Sequence, residues 1–264
     1  MDRPRVVATD VDGTLLRSDG RVSDYTRAVL GEVASTGITV VLVTARPPRW
    51  MHELGELGVH ALALCGNGAF TYDVGARRVV GHRLLPAEVL GELLADLRDR
   101  IPGILLATEG LDGPACETGW RLDDYPEEWA VGHWSRLADR PVGKVLVRHP
   151  AMGTEELTGL VAEVVGDRAQ VSHSGAVRMA EIGPQGVTKA VALAQWCSEQ
   201  EPAVAAREVW AFGDMPNDLP MLTWAGRSFA VANAHPEVLA TATDGAPAND
   251  EDGVARTLET FLLR

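Results

Sequence analysis

A doubly wound parallel α/β sheet, interrupted by an inserted α+β domain, is the fold class that this sequence predicts. Three observations carry it. Short β-branched apolar runs recur and end in polar residues, and amphipathic helical stretches alternate with them. That alternation lapses in the middle third of the chain and then resumes.

The first run, Val6-Val7-Ala8-Thr9, leads into Asp10-Val11-Asp12-Gly13-Thr14-Leu15. A continuous apolar run is the mark of a parallel strand buried on both faces. Groups just beyond the carboxyl ends of such strands gather into sites. Asp10 and Asp12 therefore stand at the mouth of a site, with Val11 turned to the core and Gly13 permitting a sharp turn. Two carboxylates at about 4 Å repel by roughly 4 kcal/mol at an effective dielectric near 20. A divalent cation, a shared proton, or both would relieve this.

Ser23 caps a helix over 24–35 that presents Val29, Leu30 and Val33 on one face, and Gly37 ends it. Ile38 to Val43 is the second strand, ending at Thr44-Ala45-Arg46. Pro47-Pro48 opens a helix through Leu57, closed by Gly58. Ala61 to Cys65 is the third strand and ends at Gly66-Asn67-Gly68. Phe70-Thr71-Tyr72 and Arg78-Val79-Val80 then read as a hairpin, followed by a helix over 86–100. Residues 108–140, rich in Gly, Pro, Asp and Glu, show no period and read as loop with short strands. Strands over 144–147, 169–172 and 178–182 surround a helix over 154–165. Alternation resumes with a helix over 187–200, a strand over 208–212 ending at Gly213-Asp214, a helix, a strand over 228–232, a further helix, and a last helix over 253–263. The boundaries expected from this pattern are 1–82 with 184–264 for a discontinuous core, and 83–183 for the insert.

With 24 Lys and Arg against 37 Asp and Glu, the net charge of −13 argues against a nucleic-acid partner. It also means that an anionic substrate must be drawn in by local positive charge. No apolar run reaches membrane-spanning length, and the opening Met-Asp-Arg-Pro-Arg meets the first strand too soon for a signal peptide, so the expectation is a cytoplasmic protein without a membrane partner. Cys65, Cys116 and Cys197 fit neither a disulfide framework nor a zinc site.

Strand ends on one edge of a parallel sheet converge, so Asp10, Asp12, Thr44 and Asp214-Met215-Pro216-Asn217-Asp218 are candidates for one pocket. Lys189 joins them from the first turn of the helix after the insert. Asp10 and Asp214 are hard oxygen ligands suited to Mg²⁺. Thr44 offers a hydroxyl and Lys189 a cation, and together they make a cradle for a phosphoryl group.

In their order along the chain these pieces resemble the four motifs of the haloacid dehalogenase superfamily of phosphatases. Asp10 to Leu15 resembles the first and Thr44 after its apolar strand the second. Gly186-Val187-Thr188-Lys189 resembles the third, and Gly213 to Asp218 the fourth. Gly66-Asn67-Gly68-Ala69 and Glu181-Ile182 are similar to the Cof-type (class IIB) branch, which carries a large cap between the second and third motifs. The resemblance implies a Rossmann-like core with an α/β cap, Mg²⁺ as cofactor, and hydrolysis of a small phosphorylated metabolite, a sugar phosphate being the leading choice. It implies Asp10 as the nucleophile that forms an aspartyl-phosphate, and Asp12 as general acid and base with its backbone carbonyl on the metal. Asp214 would be the second carboxylate ligand, Asp218 would hold metal-bound water, and Thr44, Lys189 and Asn217 would contact the phosphoryl oxygens. Ala45, counted with the phosphate-binding residues, stands where Gly is common and would narrow the space there.

Other readings compete at single features. A calcium loop at Asp10 lacks an acid at its closing position. A dinucleotide loop at Gly66 lacks its third Gly, replaced by Thr71. None of the seven histidines has a partner at ligand spacing. Phosphoryl transfer between sugar positions, as in related mutases, and a catalytically silent phospholigand-binding protein are the alternative functions. In the insert, Trp120, Trp129 and Trp134 either line a substrate face or pack a small core. Asp123, Asp124, Glu127 and Glu128 are expected on a solvated surface.

Overall fold

The structure is a computed structural model that describes residues 3–54, 57, 59, 61–120 and 129–263. In chain order it begins with β1 (Val6–Thr9), α1 (Asp24–Ser35), β2 (Thr39–Val43), β3 (Leu62–Cys65), β4 (Phe70–Asp73) and β5 (Arg78–His82). There follow α2 (Ala87–Arg100), β6 (Leu105–Gly110), β7 (Gly113–Glu117), β8 (Ala130–Gly132), β9 (Lys144–Arg148), α3 (Thr154–Val165), β10 (Ala169–Ser172) and β11 (Met179–Pro184). The chain closes with α4 (Lys189–Ser198), β12 (Val209–Gly213), α5 (Leu219–Trp224), β13 (Arg227–Val231), α6 (Pro236–Thr241), β14 (Asp244–Ala246) and α7 (Gly253–Leu258). Residues Met1–Gly81 with Thr188–Arg264 form one compact unit, and His82–Val187 form another.

The first unit is built on an eight-stranded sheet in the order β14-β13-β12-β1-β2-β3-β4-β5. The pairs from β14 through β3 are parallel, and β4 runs antiparallel to β3. Val6, Val7, Val40 to Val43, Val209 and Phe212 are buried, which is why these strands are continuous apolar runs. Burying each larger side chain contributes roughly 1.5–3 kcal/mol. Helix α1 packs on α7, and α4 on α5. From β1 the chain winds outward through β2 and β3, then returns at β12 on the other side of β1 and winds outward through β13 and β14. The winding therefore reverses between β1 and β12, where open α/β sheets place their ligand crevice.

The second unit holds a six-stranded sheet in the order β10-β11-β9-β6-β7-β8, antiparallel except for β7 with β8. Leu90, Leu93, Leu94 and Leu97 of α2 and Leu157 and Val161 of α3 form one core with Val145, Val147 and Ile182. Ala107, Cys116, Leu146 and Met179 pack with Trp120 and Trp129 in a second cluster. Those two rings stack with centroids 6.3 Å apart, and Trp134 packs against the first cluster, so all three tryptophans pack within this unit.

The sequence reading departs from the structure in five places. Pro48–Leu54 is a 3₁₀ stretch rather than the start of an α-helix reaching Leu57, the tighter winding usual in short pieces; Gly58 lies outside the described residues. In the stretch expected as loop with short strands, β6 and β7 are regular, because pairing of β6 with β9 and of β7 with β6 overrides turn-like composition. Strand β14 went unread for the same kind of reason, being three residues at a sheet edge. Helix α4 starts at Lys189 and not Val187, since the Thr188 hydroxyl caps it by accepting from the Val191 N–H at 3.2 Å. The last helix widens past Leu258 into a π-helical turn over Glu259–Leu263. The acidic group Asp123, Asp124, Glu127 and Glu128 lies outside the described residues. Among the described residues no helix is long and apolar enough to cross a membrane.

Candidate active site

Thr9 pairs with Leu42 on one side and Phe212 on the other, so β1, β2 and β12 end side by side. The Asp10 N–H continues the ladder by donating to the Phe212 carbonyl at 3.0 Å. Asp10 is the first residue past β1, and Asp214 the first past β12. Between them the chain turns at Gly13, whose φ of +74° is open to glycine at little cost. A Cβ there would also lie 2.4 Å from Asp214 Oδ2, so the backbone passes this carboxylate closer than any side chain permits.

Lys189 is 2% exposed, and its Nζ donates to Asp10 Oδ1 and to Asp218 Oδ1, each at 2.6 Å. A helix N-terminus is an unfavourable place for a cation. Two buried carboxylates offset that, and the lysine meets Asp10 across 179 residues of chain. Asp218 Oδ2 accepts the N–H groups of Asp214 and Met215 at 3.0 Å, which folds the 214–218 turn. Thr14 Oγ1 donates to Asp214 Oδ1 at 2.8 Å.

Asp10, Asp214 and Asp218 each present an oxygen within 4.8 Å of the others, all three side chains being buried. Burial pushes the Asp10 carboxyl well above the usual carboxylate range; Lys189 pulls it back, while Asp218 and Asp214 push it up. Burial, then Asp218, raise Asp214 to about 6, against the pull of Thr14 and Lys189. For Lys189 burial works downward, but Asp10 and Asp218 outweigh it and hold the ammonium above its ordinary range. Carboxylates that resist ionising together are the donor set that a hard divalent cation stabilises, so these residues fit one.

Asp12 stands apart from the triad. It is exposed, and Arg46 grips both its oxygens, Nε to Oδ2 and Nη2 to Oδ1, each at 2.7 Å. Thr44 is buried at the end of β2, and its hydroxyl accepts the Arg46 N–H at 3.0 Å. Ala45 is half-buried between them. Asn217 is half-buried, and its Nδ2 donates to Asn67 Oδ1 at 3.3 Å. Asp10, Asp214, Asp218 and Lys189 are thus in one contact network, while Asp12, Thr44 and Ala45 lie on the loops that Arg46 links. Sequence reasoning gave no role to Thr14, Arg46 or Asn67. Thr14 and Asn67 stood inside quoted motifs, but the partners that give them purpose are 200 and 150 residues away.

Known proteins resemble this chain in sequence and in fold. The family model described as haloacid dehalogenase-like hydrolase matches residues 7–258. The 5-amino-6-(5-phospho-D-ribitylamino)uracil phosphatase YcsE of Bacillus subtilis is 26% identical over 260 residues, covering 98% of this chain and 96% of its own. The HMP-PP phosphatase of Escherichia coli is 30% identical over 245 residues, covering 89% and 87%. Among solved structures, SMU.1108c of Streptococcus mutans superimposes with a TM-score of 0.86 over 99% of this chain and 100% of its own, at 23% identity, a likeness of fold. The match runs from β1 to α7 through both units, and this chain belongs to the haloacid dehalogenase-like hydrolase family, as a Cof-type phosphatase.

Proposed function

We propose that this protein hydrolyses phosphomonoesters of small metabolites, a sugar or polyol phosphate first among them, with Mg²⁺ and through an aspartyl-phosphate on Asp10. The observation that carries this reading is the Lys189 ammonium set between Asp10 and Asp218 at 2.6 Å, beside Asp214, at the reversal point of the sheet. A net charge of −13 makes a local cation necessary for a phosphate to approach. Support for a polyol phosphate comes from the Bacillus relative, whose name carries a 5-phospho-D-ribityl group.

In this reading Asp10 attacks phosphorus as the bond to the leaving oxygen breaks, and Asp12 gives that oxygen its proton. Asp12, now ionised, takes a proton from water, whose oxygen attacks the same phosphorus. The bond to Asp10 breaks, and inorganic phosphate leaves. Lys189 fixes the rotation of the Asp10 carboxylate and offsets phosphoryl charge, while Thr44, Ala45 and Asn217 line the phosphate. Asp10, Asp214 and the Asp12 carbonyl would hold Mg²⁺, with Asp218 holding its water. When bound, the ion supplies charge compensation at the phosphoryl oxygens and lets Asp10 ionise.

The test is a panel of phosphorylated metabolites assayed for phosphate release with and without Mg²⁺, beside Asp10→Asn. Release that needs Mg²⁺ and vanishes in a folded Asp10→Asn protein is expected. Hydrolysis retained by that variant would overturn the reading.

A further inference from the structure

The turn after β3 ties together loops that come from three strand ends. The Asn67 N–H donates to the Thr44 carbonyl at 2.9 Å, and the Gly66 N–H to the Arg46 carbonyl at 2.8 Å, so the turn holds the 44–46 loop from below. The Asn67 side chain reaches the other way and accepts from Asn217 Nδ2 at 3.3 Å. Asn217 Oδ1 is buried without a partner among the described residues; as an acceptor it cannot meet a phosphoryl oxygen, so only the Nδ2 hydrogens can.

An asparagine amide carries two N–H donors in one plane. Engaging one fixes the direction of the other. We propose that Asn67 is a positioning residue of the phosphate site, which holds one N–H of Asn217 so that the second points at the phosphoryl group; this rests on the phosphatase reading above. The competing explanation is local. Asn67 has φ +57°, and asparagine is among the few side-chain-bearing residues that tolerate left-handed backbone.

Asn67→Gly separates the two, because glycine keeps that backbone and removes only the amide. With p-nitrophenyl phosphate as substrate and inorganic phosphate as competing ligand, KM and the inhibition constant of phosphate are expected to rise together by about three- to tenfold, the loss of one hydrogen bond's guidance. The thermal midpoint should not fall. In the Asn217→Ala background, Asn67→Gly should add no further loss, since the residue it positions is gone. An active wild-type enzyme whose Asn67→Gly variant stays within about twofold in both constants overturns this inference alone, as do losses that multiply in the double variant. A wild-type protein that releases phosphate from no phosphomonoester overturns the phosphatase reading, and this inference with it.

Discussion

Arg46 meets Asp12 edge to edge, with two hydrogen bonds of 2.7 Å from one guanidinium to both carboxylate oxygens. The Asp12 side chain is 56% exposed, so solvent screens the pair and its worth to stability is about 1 kcal/mol or less. The fork engages both oxygens and favours the ionised carboxylate, so Asp12 gives a proton only once it has left Arg46. Asp12→Asn is expected to leave the thermal midpoint nearly unchanged and to lower kcat at least about tenfold on alkyl phosphates, whose leaving oxygen needs a proton. On p-nitrophenyl phosphate, whose leaving group departs without one, the loss should be smaller. Steady-state kinetics on both substrates check this, and equal losses count against Asp12 as the acid.

Asp214 makes the metal-free protein sensitive to pH in a defined direction. Its carboxyl is raised from 3.8 to about 6, so the folded state holds its proton where the unfolded state has released it. The site's contribution is fully present below the unfolded value near 4, and is lost as pH rises through about 6. The loss amounts to a few kcal/mol at most. Asp214→Asn is therefore expected to raise the metal-free thermal midpoint at about pH 7.5 and to leave it unchanged at about pH 4. It should also abolish the stabilisation by Mg²⁺ that is expected of the wild type at the higher pH. Melting curves at the two pH values, with and without Mg²⁺, decide it.

How much of this was legible beforehand follows from where each residue stands. Strands β1, β2 and β12 are buried on both faces, so their apolar runs announce them, and the polar residues that end them announce the site. Asp10 and Asp214 were readable for that reason, and Lys189 from its place in the first turn of the helix after the insert. Strand β14, as Asp244-Gly245-Ala246, carries no such run, because an edge strand needs only one neighbour. In β6, Thr108-Glu109-Gly110 looks like loop, and only its pairing with Lys144 and Val145 of β9 makes it a strand. Arg46 and Asn67 stayed silent because the contact each makes is one that no spacing encodes.

Lys189 is the position where charge removal should do the most damage. Lys189→Met keeps the length of the side chain but leaves Asp10 and Asp218 buried without a counter-charge. Breaking a buried pair in this way costs about 3–5 kcal/mol. Denaturant unfolding at neutral pH should show a loss of that order, and turnover should disappear. Adding Asp10→Asn to Lys189→Met should recover part of the stability and none of the turnover, because asparagine spares the cost of protonating one of the two buried carboxyls at neutral pH.

Gly13 carries two separate demands, and Gly20 carries only one of them. Their φ angles are nearly equal, at +74° and +76°, so alanine at either position meets the same left-handed strain, about 1–2 kcal/mol. At Gly20 the added Cβ meets open space, whereas at Gly13 it would stand 2.4 Å from Asp214 Oδ2. That carboxylate is pinned by Thr14 at 2.8 Å and has little room to retreat. Gly20→Ala should therefore lower the thermal midpoint modestly and keep the full response to Mg²⁺. Gly13→Ala should lose at least as much stability, and should also require far more Mg²⁺ to reach half-maximal turnover. Titrating Mg²⁺ against activity and against the thermal midpoint in both variants separates backbone strain from displacement of the ligand. An unchanged Mg²⁺ requirement in Gly13→Ala would mean that Asp214 is not where the ion binds.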